Sequence, residues 1–215
     1  MNTHRSDPAA LVLMAFAVVV WGFSWVVMKY MMDWIGPFNL VFWRSLVAFC
    51  VLLVLQLSVG QRFEVPPLGP SLLVALLQTT LFQCLGQLAL TMGGAGQVVL
   101  LAYTMPFRAA AMAWPVLGER LSRLHLASFI LAAGGLVLVI APWKGMGNVL
   151  ALIPGLAAGL CWGGGVVASK KLFQERPPAM LNFITWQMLL GSLFCLPLLL
   201  FVPQRPTVWS VESIM

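Results

Sequence analysis

Charge is scarce in this chain. Only 8% of its 215 residues are Asp, Glu, Lys or Arg and 61% are hydrophobic, against roughly 25% and 45–50% in an ordinary soluble domain. A water-soluble globule is excluded on that ground. Acid is scarcer still: Asp7, Asp33, Glu64, Glu119, Glu175 and Glu212 are the six carboxylates, and all fall in expected loops, tails or helix ends. Proton-coupled carriers commonly place a titrating carboxylate within the membrane, and His4 and His125, in the N-terminal tail and at a span edge, do not replace it. Were such a chain a carrier, with no further spans to supply an acid, facilitated diffusion or substrate exchange would be expected over direct proton coupling.

Other signatures are missing too. The four cysteines, Cys50, Cys84, Cys161 and Cys195, form no CxxC and no Cys/His cluster, so they read as small buried hydrophobes, with no metal site and no cofactor. Walker-type GxxxxGK[ST], HExxH and GxSxG are absent, which argues against ATP-driven transport by this chain alone and against an enzyme. The net charge of +6 suggests no nucleic-acid partner, because the basic residues sort by side of a membrane instead.

What is present is a series of apolar runs of about 20 residues, long enough to cross a hydrocarbon core as helices. Seven spans are expected, at 9–31, 37–59, 69–92, 96–117, 124–143, 148–170 and 179–202. The first is long and Trp-rich and lacks a small-residue cleavage pattern, so it reads as a retained span. The fold class is all-α integral membrane, a polytopic helix bundle in contact with lipid.

One segment occurs twice. Trp21-Gly22, Lys29, Pro37, Leu40 and Phe42 reappear as Trp162-Gly163, Lys170, Pro178, Leu181 and Phe183, each 141 residues later. Five spans separate equivalent points, and an odd number inverts the second copy. Inverted repeats place a binding site near mid-membrane and expose it alternately to each side. Residues 1–146 form the first five-helix repeat and 147–215 the first two helices of the second, which looks truncated. A fragment, a shortened frame or completion by another chain, as in a homodimer, all fit. With the N-terminus in the cytoplasm, Arg5, Arg62, Arg120, Arg123, Lys170, Lys171 and Arg176 lie inside against Lys29, Lys144 and Arg205 outside. The positive-inside rule favours that orientation in the plasma (inner) membrane.

Trp21-Gly22-Phe23-Ser24 with Lys29, Pro37 and Arg44 resembles the opening of an EamA-type member of the drug/metabolite transporter superfamily. Leu101-Ala102-Tyr103-Thr104-Met105-Pro106-Phe107 and then Leu117-Gly118-Glu119-Arg120-Leu121 are similar to that family's fourth span and following loop. The resemblance implies ten helices in two inverted repeats, and export or exchange of small metabolites such as amino acids. This chain departs from it in lacking three C-terminal helices and in carrying Arg108 where an apolar or aromatic residue is expected.

Polar side chains inside spans are costly and each needs a reason. Arg44 either snorkels and caps carbonyls or faces the cavity and pairs with a substrate carboxylate. Arg108, just after Pro106, either satisfies a carbonyl freed by the proline or faces a wet cavity. Lys29 pairs at the surface with Asp33 or meets substrate. Gln83, Gln87 and Thr91, with Thr80 before them, are spaced to stack on one helix face, as a polar route or as interhelical glue. Trp21, Ser24 and Met28 share a face of the first span, and Trp162 lies equivalently on the sixth. With Tyr103 these read as a cavity wall, the alternative being anchors at the membrane interface. Gly155, Gly159 and Gly163 make a flat packing stripe, and Gly163-Gly164-Gly165 suggests a hinge. Glu119, Arg120 and Arg123 read as a loop clamp. Cations without intramembrane anions favour anionic or zwitterionic cargo. The competing readings are a non-transporting fragment or scaffold and a seven-helix receptor, though the seventh span has no lysine for a Schiff base.

Overall fold

A computed structural model describes residues 8–118, 122–140, 149–204 and 207. Arg5, Glu119, Arg120, Lys144, Arg205 and Glu212 lie outside the described residues, and with them most of the expected clamp.

The described residues are helical, without a strand. Five helices are long and apolar enough to cross a membrane: α1 (Pro8–Met31), α2 (Pro37–Ser58), α3 (Leu68–Met92), α7 (Leu152–Glu175) and α8 (Met180–Phe201). The protein is an all-α polytopic membrane protein. Their apolar residues left exposed, such as Val12, Phe16, Val19, Val54 and Leu200, form the surface that lipid covers.

The expected fourth span, 96–117, is not one helix. It divides into α4 (Ala95–Ala102) and α5 (Met105–Leu117) around Tyr103 and Thr104. Pro106 has no N–H for the carbonyl of Ala102, so it suits only the first turn of a new helix. Thr104 N–H meanwhile bonds back to Leu101 O at 3.2 Å, in a tight terminal turn. Gly118, at φ 68°, ends α5 in the left-handed conformation that favours glycine. The fifth span appears as α6 (Arg123–Ile140).

α3 is not a uniform α-helix either. Residues Ala75–Leu81 form a π-helical stretch. The wider turn rotates every residue beyond it relative to those before.

Sequence-equivalent helices pack on each other in opposite directions. Near its end, α2 places Gln56 against Asn182 at the start of α8, with Gln56 Nε2 donating to Asn182 Oδ1 at 2.9 Å. At its beginning, α2 packs Phe38 and Val41 with Cys195 and Leu198, late in α8. This antiparallel pairing is the inversion expected from the span count. α3 instead runs parallel to α8, meeting it at Gln78 with Gln187, Thr80 with Gly191 and Cys84 with Cys195.

α7 is the central helix, packed on α3, α4 and α5. Its glycines permit this. A Cβ on Gly155 would lie 2.8 Å from Leu101 Cδ1, one on Gly163 would lie 3.1 Å from the Ala109 amide nitrogen, and one on Gly165 would lie 2.8 Å from Gln78 Cβ. The helix runs unbroken through Gly163-Gly164-Gly165. The glycines serve close approach there. Among the cysteines, Cys84 and Cys195 are buried, Cys161 is half-buried and Cys50 is exposed, which corrects the reading of all four as buried.

Candidate functional site

α1, α2, α3, α7 and α8 enclose a cavity of about 340 Å³. One wall is aromatic. Trp21 and Trp162 stack with centroids 5.9 Å apart, and Trp162 in turn stacks on Phe82 at 4.7 Å. Because Trp21 and Trp162 are equivalent residues of the repeat, the cavity lies where the two copies meet.

The remaining lining mixes the apolar Trp25, Met28, Ala48 and Met188 with polar side chains: Ser24, Arg44, Ser45, Gln78, Thr79, Gln83 and Gln187. Gln187 Nε2 donates to Gln78 Oε1 at 3.2 Å, an amide contact between the copies. Thr79 Oγ1 is buried without a hydrogen-bond partner among the described residues. Ser24 Oγ donates to the Trp21 carbonyl at 2.6 Å, within its own helix.

Arg44 lies seven residues into α2, about 10 Å along the axis. Among the described residues no carboxylate pairs with it; Lys171 and Glu175 form an ion pair elsewhere, at 3.8 Å on α7. Arg44 Nη1 instead donates to Met28 Sδ at 2.8 Å. Gln87 Nε2 donates to the same sulfur, also at 2.8 Å. A thioether is a weak acceptor, so a guanidinium and an amide converge on a point where an oxygen anion would bind better. Gln87 Oε1 is itself buried and has no partner among the described residues.

Five of the nine candidates therefore line one cavity: Trp21, Ser24, Arg44, Gln83 and Trp162. Gln87 stands just behind it through Met28. The other three lie elsewhere. Lys29 Nζ donates to the carbonyls of Leu90 and Gly93, the latter at 3.0 Å, so it caps α3. It makes no ion pair with Asp33 among the described residues; both border a separate pocket of about 750 Å³ with Thr91 and Gln204. Tyr103 is exposed at the α4–α5 break. Arg108 Nη1 donates to the Leu156 carbonyl of α7, beside Gly159.

Sequence reasoning missed Gln78, Thr79, Ser45 and Gln187. A uniform 3.6-residue period put Thr80 in the polar stripe, yet Thr80 Oγ1 bonds to the Gly191 carbonyl at 3.2 Å. The π-helical stretch brings Gln78 and Thr79 to the cavity instead. For Gln187, the available signal was an amide well inside a mostly apolar span, with Asn182 nearer its start.

The EamA-like transporter family model matches residues 8–141 and again 149–213. The chain is similar to an uncharacterized transporter, YvbV, of Bacillus subtilis, at 27% identity over 86% of this chain and 60% of that protein. It is also similar to a probable amino-acid metabolite efflux pump of Salmonella typhimurium, at 31% identity over 84% of this chain and 60% of the relative. A riboflavin transporter of Brucella anthropi is 30% identical over 66% of this chain and 50% of its own length. The chain thus spans about 60% of the length of the first two relatives. No solved structure gives a significant match. One family model falling in succession on both copies of a duplicated membrane bundle leaves a single assignment: the chain belongs to the EamA-like transporter family.

Proposed function

We propose that this chain carries small anionic or zwitterionic metabolites, amino acids among them, by alternating access at the cavity between its two repeats. One observation carries the reading: Arg44 and Gln87 both donate to Met28 Sδ at 2.8 Å. A substrate carboxylate replaces the sulfur as the better acceptor, and charge-assisted hydrogen bonds to it are about twice as strong as neutral ones. The amides of Gln78, Gln83 and Gln187 supply donors and acceptors to the rest of the molecule. The name of the Salmonella relative, a probable amino-acid metabolite efflux pump, fits this cargo.

In this reading residues 1–146 and 147–215 are the two repeat units, and the N-terminus is cytoplasmic in the plasma (inner) membrane, as the basic residues favour. Among the described residues no carboxylate lines the cavity, which favours exchange over direct proton coupling. A groove of about 740 Å³ between α1 and α2 shares Ser24, Met28 and Arg44 with the cavity. Its open side favours a homodimer as the working assembly.

Counterflow of labelled amino acids in proteoliposomes tests the proposal. The expected outcome is exchange that falls at least roughly tenfold in Arg44→Gln, the loss of one charged hydrogen bond. Undiminished exchange in that variant, or uptake of lipophilic cations alone, overturns it.

A further inference from the structure

Cys84 of α3 and Cys195 of α8 place their sulfurs 3.7 Å apart, across 111 residues of sequence. The two side chains are 3% and 0% exposed and pack with Phe38 and Val41. Their meeting follows from a close helix crossing one turn earlier. Gly191 has no side chain, and a Cβ there would lie 2.8 Å from Thr79 Cβ. Thr80 donates to the Gly191 carbonyl at the same level. Small residues of this kind let two helices approach closely, and one turn further along each helix stands a cysteine.

We propose that Cys84 and Cys195 are a modification site: a reversible disulfide that fastens the third helix of the first repeat to the second helix of the second. The sulfurs need to approach by about 1.7 Å to reach bonding distance, a movement within the reach of side-chain rotation. The oxidant is a small uncharged hydroperoxide, which enters an apolar site without a charged group to desolvate. One thiol attacks the peroxide, the O–O bond breaks, and a sulfenic acid and one water form. The second thiol displaces hydroxide from that sulfur, which leaves as water with the thiol's proton. Two thiols lose two electrons in total, and one hydrogen peroxide is reduced to two waters. A dithiol reductant reverses the step. Cys50 and Cys161 have no such neighbour among the described residues.

The test begins with the full chain, purified in detergent and fully reduced, treated with hydrogen peroxide and then alkylated under denaturing conditions. The expected result is loss of two of the four alkylatable thiols, with a peptide joining Cys84 to Cys195 that is lighter by two hydrogens and is separated by dithiothreitol. Cys84→Ser and Cys195→Ser each abolish the joined peptide, whereas a Cys50→Ser/Cys161→Ser variant retains it. That last variant keeps the test decisive if either single serine variant fails to fold. Full alkylation of Cys84 and Cys195 under conditions that oxidise Cys50 overturns the proposal, as does their oxidation to separate acids without a cross-link. These readouts need no transport, so they stand whether or not amino-acid exchange is observed.

Discussion

Trp21 and Trp162, separated by 141 residues and equivalent in the repeat, stack on each other with ring centroids 5.9 Å apart. Equivalent residues touch only where they straddle the axis relating the two copies. The aromatic pair therefore marks that axis, and the cavity beside it is bounded by both repeats. A double-mutant cycle with Trp21→Leu and Trp162→Leu should give a coupling energy of about 0.5–1.5 kcal/mol, typical of an aromatic pair. Chemical unfolding in detergent micelles measures it, and strict additivity would show the stack to be energetically idle.

Met28→Leu tests the converging donors. The substitution preserves volume but leaves Arg44 Nη1 and Gln87 Nε2 without their shared acceptor. The substrate-free protein should lose about 1–3 kcal/mol, the cost of stranding a buried donor. Saturating carboxylate substrate should recover part of that loss. Equal melting temperatures for the variant and the parent without substrate would show that the sulfur satisfies neither group.

Two glycines offer a matched comparison. Gly191→Ala places a methyl group against Thr79 and should cost roughly 1–3 kcal/mol by overpacking. Gly22→Ala meets nothing within 4 Å and should be neutral or stabilise α1 by up to about 1 kcal/mol through helix propensity. Thermal shift assays on the two variants should move in opposite directions or differ by several degrees.

Asn182 is a polar clamp between the copies. Its Oδ1 accepts from Gln56 Nε2 at 2.9 Å and from the Glu64 amide at 3.3 Å, and its Nδ2 donates to the Glu64 carbonyl at 2.7 Å. Asn182→Leu should destabilise by about 1–3 kcal/mol, because Gln56 is fully buried and loses a partner. Adding Gln56→Leu should cost less than the sum of the two single changes. Faster hydrogen exchange at residues 59–66 in Asn182→Leu would show the loop released from α8.

The expected spans fall close to α1, α2, α3, α7 and α8, because unbroken apolar length is a direct readout of bilayer thickness. The duplication was equally legible, since Trp21, Lys29 and Pro37 recur at a fixed interval. The α4–α5 break was half legible. Pro106 signalled a lost hydrogen bond, but whether the chain kinks or starts a new helix depends on how Tyr103 and Thr104 pack. The π-helical stretch was not legible, because Ala75–Leu81 carries no glycine or proline. It moves Gln78 and Thr79 into the cavity and turns Thr80 away. Arg44 and Arg108 looked alike in sequence, as lone guanidiniums in apolar spans. They part only because a carbonyl of α7 lies beside Arg108, and a methionine sulfur beside Arg44.

The antiparallel pairing of α2 with α8 has a consequence for biosynthesis. Gln56 and Asn182 are 126 residues apart, and at roughly 5–20 residues per second of chain elongation α2 waits on the order of ten seconds for its main partner to be made. During that interval Val41 and Phe38 face lipid or a chaperone. The first repeat therefore matures only when the start of the second reaches it, and a ribosome stalled between α6 and α8 would leave an insertion intermediate exposed to quality-control proteolysis.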